Sequence, residues 1–205
     1  MPTNRLEAFS DGVLAIIITI MVLGLKIPEG RDLAAFLNAT GPGLLTYLLS
    51  FVFIGIYWNN HHHMFALTDR VTGLVLWANL HLLFWLSLLP FTTAWMDESR
   101  FAQTPVVLYG VNLLAAAIAY VMLQTAILRE LGRDSALARA IGDDRKGRAS
   151  PLLYLAGIGC GLLIDATGGL ARWPALACYV LVALLWLVPD ERIERVIRER
   201  GAPGK

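Results

Sequence analysis

The amino-acid sequence predicts an all-α integral membrane protein with six transmembrane helices and both termini in the cytoplasm. Its 205 residues are 57% hydrophobic and only 16% charged, whereas soluble domains carry about 25% charged residues. The charged residues are clustered and leave three uncharged stretches, each longer than the ~20 residues that a spanning helix needs. Thirteen of the 17 Lys and Arg residues fall on one side of the predicted spans, and this bias places that side in the cytoplasm.

The first span is predicted from about residue 6 to residue 25, although only fourteen uncharged residues separate Asp11 from Lys26. At ~1.5 Å per residue, these fourteen would form a helix about 21 Å long, which is shorter than the ~30 Å hydrocarbon core of a bilayer. A full span therefore has to carry Ser10 and Asp11 into the membrane. The alternative is that these two residues only cap a helix that begins at Gly12.

The other five spans follow from the remaining apolar stretches. They are predicted at about residues 43–63, 71–91, 105–128, 151–168 and 173–189. The last two are near the lower length limit for a span, and we interpret them as a hairpin with a tight outer turn. Residues 190–205 are predicted to form a cytoplasmic tail, so the chain is one six-helix membrane domain from residue 1 to residue 205. No internal repeat is strong, so a pore would most simply come from oligomerisation.

Polar residues of three predicted helices share one level of the membrane. They are Ser10 and Asp11, beside Phe9, in the first helix, Trp58 to His62 in the second, with Asn60, His61 and His62 among them, and Asn79 and His81 in the third. An unpaired Asp at this depth costs about 2.5 to 3.5 kcal/mol on insertion scales, so such groups normally face each other or water. The sequence therefore predicts an interhelical network in which groups of the second and third helices pair with Ser10 and Asp11.

Three consecutive histidines, His61 to His63, do not make a metal site by themselves. Neighbours on a helix point about 100° apart, whereas two ligands from one helix need a spacing of three or four residues, as in H-E-x-x-H. We expect one histidine to join the buried network and another to lie at the membrane–water interface. No structural metal and no cofactor is predicted.

An aliphatic stripe runs along the first helix. Gly12, Ile16, Ile20 and Leu23 are spaced by four, four and three residues, so they share one face, and Thr19 lies beside them. We call these four residues the first-helix stripe. On a membrane helix, such a stripe usually packs against lipid or another helix.

The N-terminal polar residues also carry a resemblance. Arg5, Phe9, Ser10 and Asp11 fit the pattern R-x-x-x-F-S-D, which resembles the signature of the transmembrane protein 175 family, the lysosomal and prokaryotic potassium channels. The similarity continues in Leu25-Lys26-Ile27-Pro28, in Trp58-Asn59-Asn60-His61-His62 with Phe65, and in Asn79 with Leu89-Pro90-Phe91. The resemblance in specific residues covers about the first ninety positions. The remaining helices resemble the family only in their number.

The resemblance implies a homotetramer in which four copies of the first helix line a central pore. It implies a hydrophobic constriction at Ile16, Ile20 and Leu23 and a polar layer at Thr19. The implied signature network comprises Arg5, Phe9, Ser10, Asp11, Trp58, Asn60, His61, His62 and Asn79. The implied partners are K⁺ (also Rb⁺ and Cs⁺), the lipid bilayer and the other subunits, in the plasma membrane of a prokaryote.

Such a pore would work differently from a carbonyl filter. The sequence has no TVGYG-like loop, so no ring of backbone oxygens replaces the hydration shell of an ion. A ring of isoleucines excludes ions by dewetting when it is narrow, and it must widen to pass a partly hydrated cation. We therefore expect passive K⁺ conduction with modest selectivity over Na⁺.

Other functions compete with this hypothesis. The alternative is a proton-leak pathway or a proton-coupled transporter that uses Asp11 and the His61–His62 region. A membrane-embedded enzyme is disfavoured because the sequence has no nucleophile elbow, no H-E-x-x-H and no Gly-rich phosphate loop. A nucleic-acid role is disfavoured by the net charge of +1 and the lack of a basic stripe.

Overall fold

The computed structural model describes residues 3–68, 71–132, 135, 137, 138 and 145–187, and it is helical. The helices are α1 Thr3–Met21, continued by a 3₁₀ turn Val22–Gly24, then α2 Leu33–Ala39, α3 Gly41–Ala66, α4 Gly73–Ser87, α5 Leu89–Glu98, α6 Gln103–Leu131, α7 Arg145–Gly161 and α8 Arg172–Leu187. The cytoplasmic tail predicted at residues 190–205 lies outside the described residues.

In the described part of the chain, four helical segments are long and apolar enough to cross a membrane. They are Thr3–Gly24, Gly41–Ala66, Gly73–Glu98 and Gln103–Leu131. The predicted all-helical membrane architecture is therefore confirmed. Helices α7 and α8 have 17 and 16 residues, or about 24 to 26 Å at ~1.5 Å per residue. That these two also span the membrane, and that both termini are cytoplasmic, stay predictions.

Helix α1 begins well before the polar pair that raised the question of its length. It runs without a break from Thr3 through Ser10 and Asp11. The Ser10 hydroxyl donates a hydrogen bond of 2.8 Å to the carbonyl oxygen of Leu6, one turn earlier in the same helix. The capping alternative, with a helix that begins at Gly12, is therefore wrong, and α1 gains the length that a span requires.

Two features of the backbone were not predicted. The third predicted span consists of two helices: α4 ends at Ser87, and α5 begins after Leu88. Pro90 is in the first turn of α5, where its missing N–H breaks no helical hydrogen bond. In the loop after α1, the Asp32 carboxylate accepts a hydrogen bond of 2.7 Å from the Ala35 amide. This N-cap starts the short helix α2.

The packing order leaves part of α1 uncovered. Helix α1 lies against α3, α4 and α5, while α6 packs against α4, α5 and α7. Helices α7 and α8 form a tight hairpin that joins the bundle through α6 and α3. Because α1 touches neighbours on one side only, its opposite side is free for another partner.

Candidate functional site: the first helix and its polar anchor

Helix α1 has two faces of different burial. The face that packs on the bundle carries Leu6, Ser10, Leu14, Ile17 and Met21, all buried. The other face carries the first-helix stripe, in which Ile16 is 57%, Ile20 51% and Leu23 80% exposed. Gly12 and Thr19 are exposed on the same side. An apolar surface of this kind is suited to lipid or to a second copy of α1.

Thr19 is the polar residue beside this stripe. Its hydroxyl lies 3.0 Å from the carbonyl oxygens of both Ala15 and Ile16 in the preceding turn. A hydroxyl has one proton and two acceptor lone pairs. Since the proton points back to the helix, the oxygen turns its lone pairs outward, where they are able to accept a proton or contact a cation.

A buried chain of hydrogen bonds joins α1 to α3 and α4, and we call Ser10, His61 and Asn79 the polar anchor. The Asn79 amide nitrogen donates to the Ser10 hydroxyl over 3.0 Å. The Asn79 amide oxygen lies 2.8 Å from Nε2 of His61. Ser10 and Asn79 are fully buried and His61 is 2% exposed. Three helices are therefore tied together at one level inside the bundle.

The direction of every bond in the polar anchor follows from its first member. The Ser10 hydroxyl gives its only proton to Leu6, so it must accept from the Asn79 NH₂ group. The Asn79 amide oxygen therefore faces His61 of α3 and can only accept a hydrogen bond. The proton of this bond is accordingly on Nε2 of His61. The anchor therefore fixes both the amide orientation and the tautomer.

Asp11 pairs separately, at the exposed edge of the same level. The indole N–H of Trp58 donates to the Asp11 carboxylate over 3.0 Å. The His62 ring stacks on that indole, with ring centroids 6.3 Å apart and planes inclined by 20°. His61 thus points into the bundle, while His62 is exposed and stacks on Trp58.

The remaining residues of the predicted network lie near this level without joining the anchor. Arg5 is exposed, and among the described residues no hydrogen bond links it to the anchor. Phe9 is 52% exposed. The Asn60 amide nitrogen donates over 2.9 Å to the carbonyl oxygen of Ile56 in its own helix.

A second buried polar cluster was missed at the sequence level. The Ser50 hydroxyl lies 2.7 Å from the Thr93 hydroxyl and 3.0 Å from the Tyr109 hydroxyl, so it joins α3, α5 and α6. Each of the three lies in a long, mostly apolar stretch. Their only sequence signal is that they fall at similar depths in three predicted spans. Within the described residues, no group of three or more metal-ligating side chains is present.

Comparison with known proteins decides the family. Residues 5–90 match the family model described as endosomal/lysosomal potassium channel TMEM175. A protein of Chryseobacterium sp. (strain P1-3), named a potassium channel, is 51% identical over 199 residues, which cover 97% of this chain and 100% of that protein. The chain belongs to the TMEM175 family.

A solved structure and a human protein also support the assignment to this family. A crystal structure of a lysosomal potassium-selective channel TMEM175 homolog from Chamaesiphon minutus superposes with a TM-score of 0.73 at 28% identity, over 92% of this chain and 97% of that one. The human endosomal/lysosomal proton channel TMEM175 is 35% identical over 113 residues, which are 50% of this chain and 22% of the human protein. The family and these relatives are ion channels, not enzymes, as the sequence predicted.

Proposed function

We propose that this TMEM175 protein is a potassium channel in the plasma membrane of a prokaryote. In the proposal, four six-helix subunits assemble around their α1 helices, with both termini cytoplasmic. K⁺ flows passively through a hydrophobic constriction of Ile16, Ile20 and Leu23, and the preference over Na⁺ is modest. One observation carries the proposal: the first-helix stripe is uncovered in the subunit, in a chain 51% identical over nearly its full length to a protein named a potassium channel.

The chemistry of the stripe fits a gate more closely than a filter. Isoleucine and leucine side chains offer no ligand to an ion, so a narrow ring of them empties of water and stops conduction. When the ring widens, an ion crosses with part of its hydration shell. K⁺ holds its water less tightly than Na⁺ and is therefore favoured. The outward lone pairs of Thr19 would add up to four weak oxygen contacts at this level.

The polar anchor supports this proposal by fixing the rotation of α1. Ser10 is on the buried face of α1, and its hydrogen bond to Asn79 holds that face against the bundle. Ile16 is six residues after Ser10, so at about 100° per residue it lies roughly 120° around the helix from Ser10, on the exposed side. In the assembled channel, the anchor would keep Ile16 directed at the pore axis.

The test compares Ile16→Asn with Leu181→Asn. Ile16 and Leu181 are 57% and 51% exposed, but Leu181 belongs to α8, away from α1. An asparagine in the constriction would wet it, so we expect Ile16→Asn to raise single-channel conductance and lower the K⁺/Na⁺ permeability ratio. The Leu181 variant controls for placing an amide at an exposed membrane position. It is expected to conduct like the wild type.

Unchanged currents in Ile16→Asn, with a tetramer confirmed in detergent, would contradict a pore role for Ile16. Equal changes in the two variants would show that the effect comes from the substitution and not from the ion path. Planar-bilayer recordings of purified protein, with the tetramer checked in detergent, distinguish these outcomes.

A second candidate function is proton permeation. It is favoured by one observation: at the exposed edge of α1, the Trp58 indole both donates a hydrogen bond to Asp11 and stacks on His62. The polar anchor itself is a poor proton wire, because the Asn79 amide at its centre does not readily take up and release protons. A relay would therefore use Asp11 and His62 together with water.

Proton flux into liposomes under a pH gradient, at equal K⁺ on both sides, tests this second candidate. A relay through these groups predicts a large loss of flux in Asp11→Asn and in His62→Gln. Flux that persists in both variants would exclude the relay and leave the constriction as the only proposed path.

A further inference from the structure

A cleft of about 490 Å³ lies between α3, α6, α7 and the end of α8. Its volume falls within the roughly 300 to 1,000 Å³ of typical small-molecule sites. None of the described residues that line it belongs to α1, α4 or α5. The cleft is thus separate from the proposed ion path and from the polar anchor.

The walls of the cleft are apolar and its rim is open to the surroundings. The inner wall is aromatic: the Tyr57 and Tyr120 rings have centroids 6.0 Å apart, and Phe53 and Tyr154 follow at 6.4 Å. On the rim, three lining side chains of α6 are half exposed, at 48 to 51%. They are Ile118, Val121 and Met122. Because α6 is long and apolar enough to span a membrane, this rim of the subunit falls at the depth of the hydrocarbon region.

The Trp186 ring closes the cleft on the side of α8. Its indole N–H donates over 2.8 Å to the Ser150 hydroxyl, so its polar atom is already paired. The ring therefore presents an apolar surface to the interior of the cleft. It is also a spectroscopic reporter placed directly in the lining.

Basic residues of α7 lie toward one end of the cleft. Arg148 lines it and is exposed, and Lys146 is two residues earlier at the start of α7. Among the described lining residues, none is acidic, while Asn60 and Gln124 add amide groups. A guanidinium offers five donors in a fork that suits phosphate oxygens. The end of the bundle is that of the Asp11–Trp58 pair, which our proposal places on the cytoplasmic side.

We propose that this cleft binds an anionic phospholipid. One acyl chain lies along the apolar wall of α6, and the phosphate contacts Arg148 and Lys146. The reasons are charge complementarity and access: an amphipathic ligand with an apolar tail and a negative head matches an apolar cleft that opens to the bilayer and ends in basic residues. Basic sites between transmembrane helices on the cytoplasmic side recognise anionic lipid headgroups in this way.

The experiment uses the full-length protein in phosphatidylcholine liposomes and reads quenching of Trp186. Brominated phosphatidylglycerol or brominated phosphatidylcholine is added as the quencher. The Trp186 signal is the difference between wild type and Trp186→Phe. We expect stronger quenching by the anionic lipid, with a relative affinity of about fivefold per basic residue, or roughly 25-fold for two.

Three variants separate the parts of the site. Lys146→Gln combined with Arg148→Gln is expected to abolish the preference for phosphatidylglycerol while keeping weak quenching by both lipids. Arg129→Gln, an exposed basic residue at the end of α6 outside the lining, is expected to retain the preference. Ala117→Phe adds a ring to the cleft wall and is expected to reduce quenching by both lipids.

Several results would overturn the proposal. Equal quenching by the two headgroups in wild type would show a nonspecific annular lipid. Absence of quenching by either would show that protein, such as a second subunit, covers the cleft. A preference that survives in the double variant would also reject the assigned headgroup contacts. If that variant does not fold, the wild type decides the question, because the preference must fall between 0.1 M and 1 M salt.

Discussion

Replacing Asn79 by alanine is expected to loosen α1 from the bundle. The amide is the centre of the polar anchor, with bonds of 3.0 Å to Ser10 and 2.8 Å to His61. The substitution removes both bonds at once and leaves Nε2 of His61 without its acceptor. Since His61 is only 2% exposed, water has little access to replace it.

The size of this effect follows from the number of bonds lost. Hydrogen bonds between membrane helices contribute about 0.6 kcal/mol on average and reach about 1.7 kcal/mol. Two bonds give roughly 1.2 to 3.4 kcal/mol of unfolding free energy. We expect a value in the upper half of that range, because the variant also leaves a buried donor unpaired.

Unfolding in mixed micelles with increasing dodecyl sulfate, followed by circular dichroism, measures the difference. Asn60→Ala is the matched control, since its amide nitrogen donates only to the backbone of its own helix. That control is expected to cost less than about 0.5 kcal/mol. Ser10→Ala and the double variant complete a cycle, in which Ser10 and Asn79 should couple by about 0.6 kcal/mol or more. If Asn79→Ala destabilises no more than Asn60→Ala, the polar anchor does not hold α1 to the bundle.

Three further predictions concern the assembly of the channel, the ion path and the packing of the bundle. Asp11→Ala removes the partner of the Trp58 indole, so it should lower the tetramer fraction in size-exclusion chromatography more than it changes the reversal potential; an intact tetramer with altered selectivity would contradict this. Thr19→Val keeps the side-chain size but removes the outward oxygen, and the K⁺/Na⁺ permeability ratio should fall; an unchanged ratio would place this oxygen away from the ions. Gly110→Ala would push a methyl group into the Tyr179 hydroxyl and should lower the free energy of unfolding by about 1 to 3 kcal/mol. In the control variant Gly55→Ala, the new methyl group meets nothing within 4 Å, so this variant should be neutral or stabilising. Similar melting of the two variants would show that the bundle relaxes around Tyr179.

The membrane-spanning part of the fold could be predicted because charge is so unevenly placed along the chain. The stretches without charge coincide with α3, the α4–α5 pair and α6. The interruption at Leu88 could not be predicted from the same signal, since an apolar run with one proline reads as a single span. Pro90 marks the break only once the backbone shows it in the first turn of α5.

The candidate site could be predicted as a set of residues at one depth, but not as a pattern of bonds. Hydropathy and helix direction brought Ser10, His61 and Asn79 to one level. Which group donates to which depends on side-chain rotamers and on the hydrogen bond from Ser10 to Leu6. The cluster of Ser50 and its two partners was missed because isolated polar residues in apolar helices show no periodicity.

A reversal potential is the most direct test of whether this TMEM175 chain conducts K⁺ in preference to Na⁺. Purified protein is placed in a planar bilayer with K⁺ on one side, Na⁺ on the other, and equal pH. A K⁺-preferring channel gives a current that reverses toward the K⁺ equilibrium potential, and in Ile16→Asn this potential is expected to shift toward zero. A wild-type current that reverses at zero, or one that follows an imposed pH gradient and ignores the K⁺ gradient, would contradict a preference for K⁺.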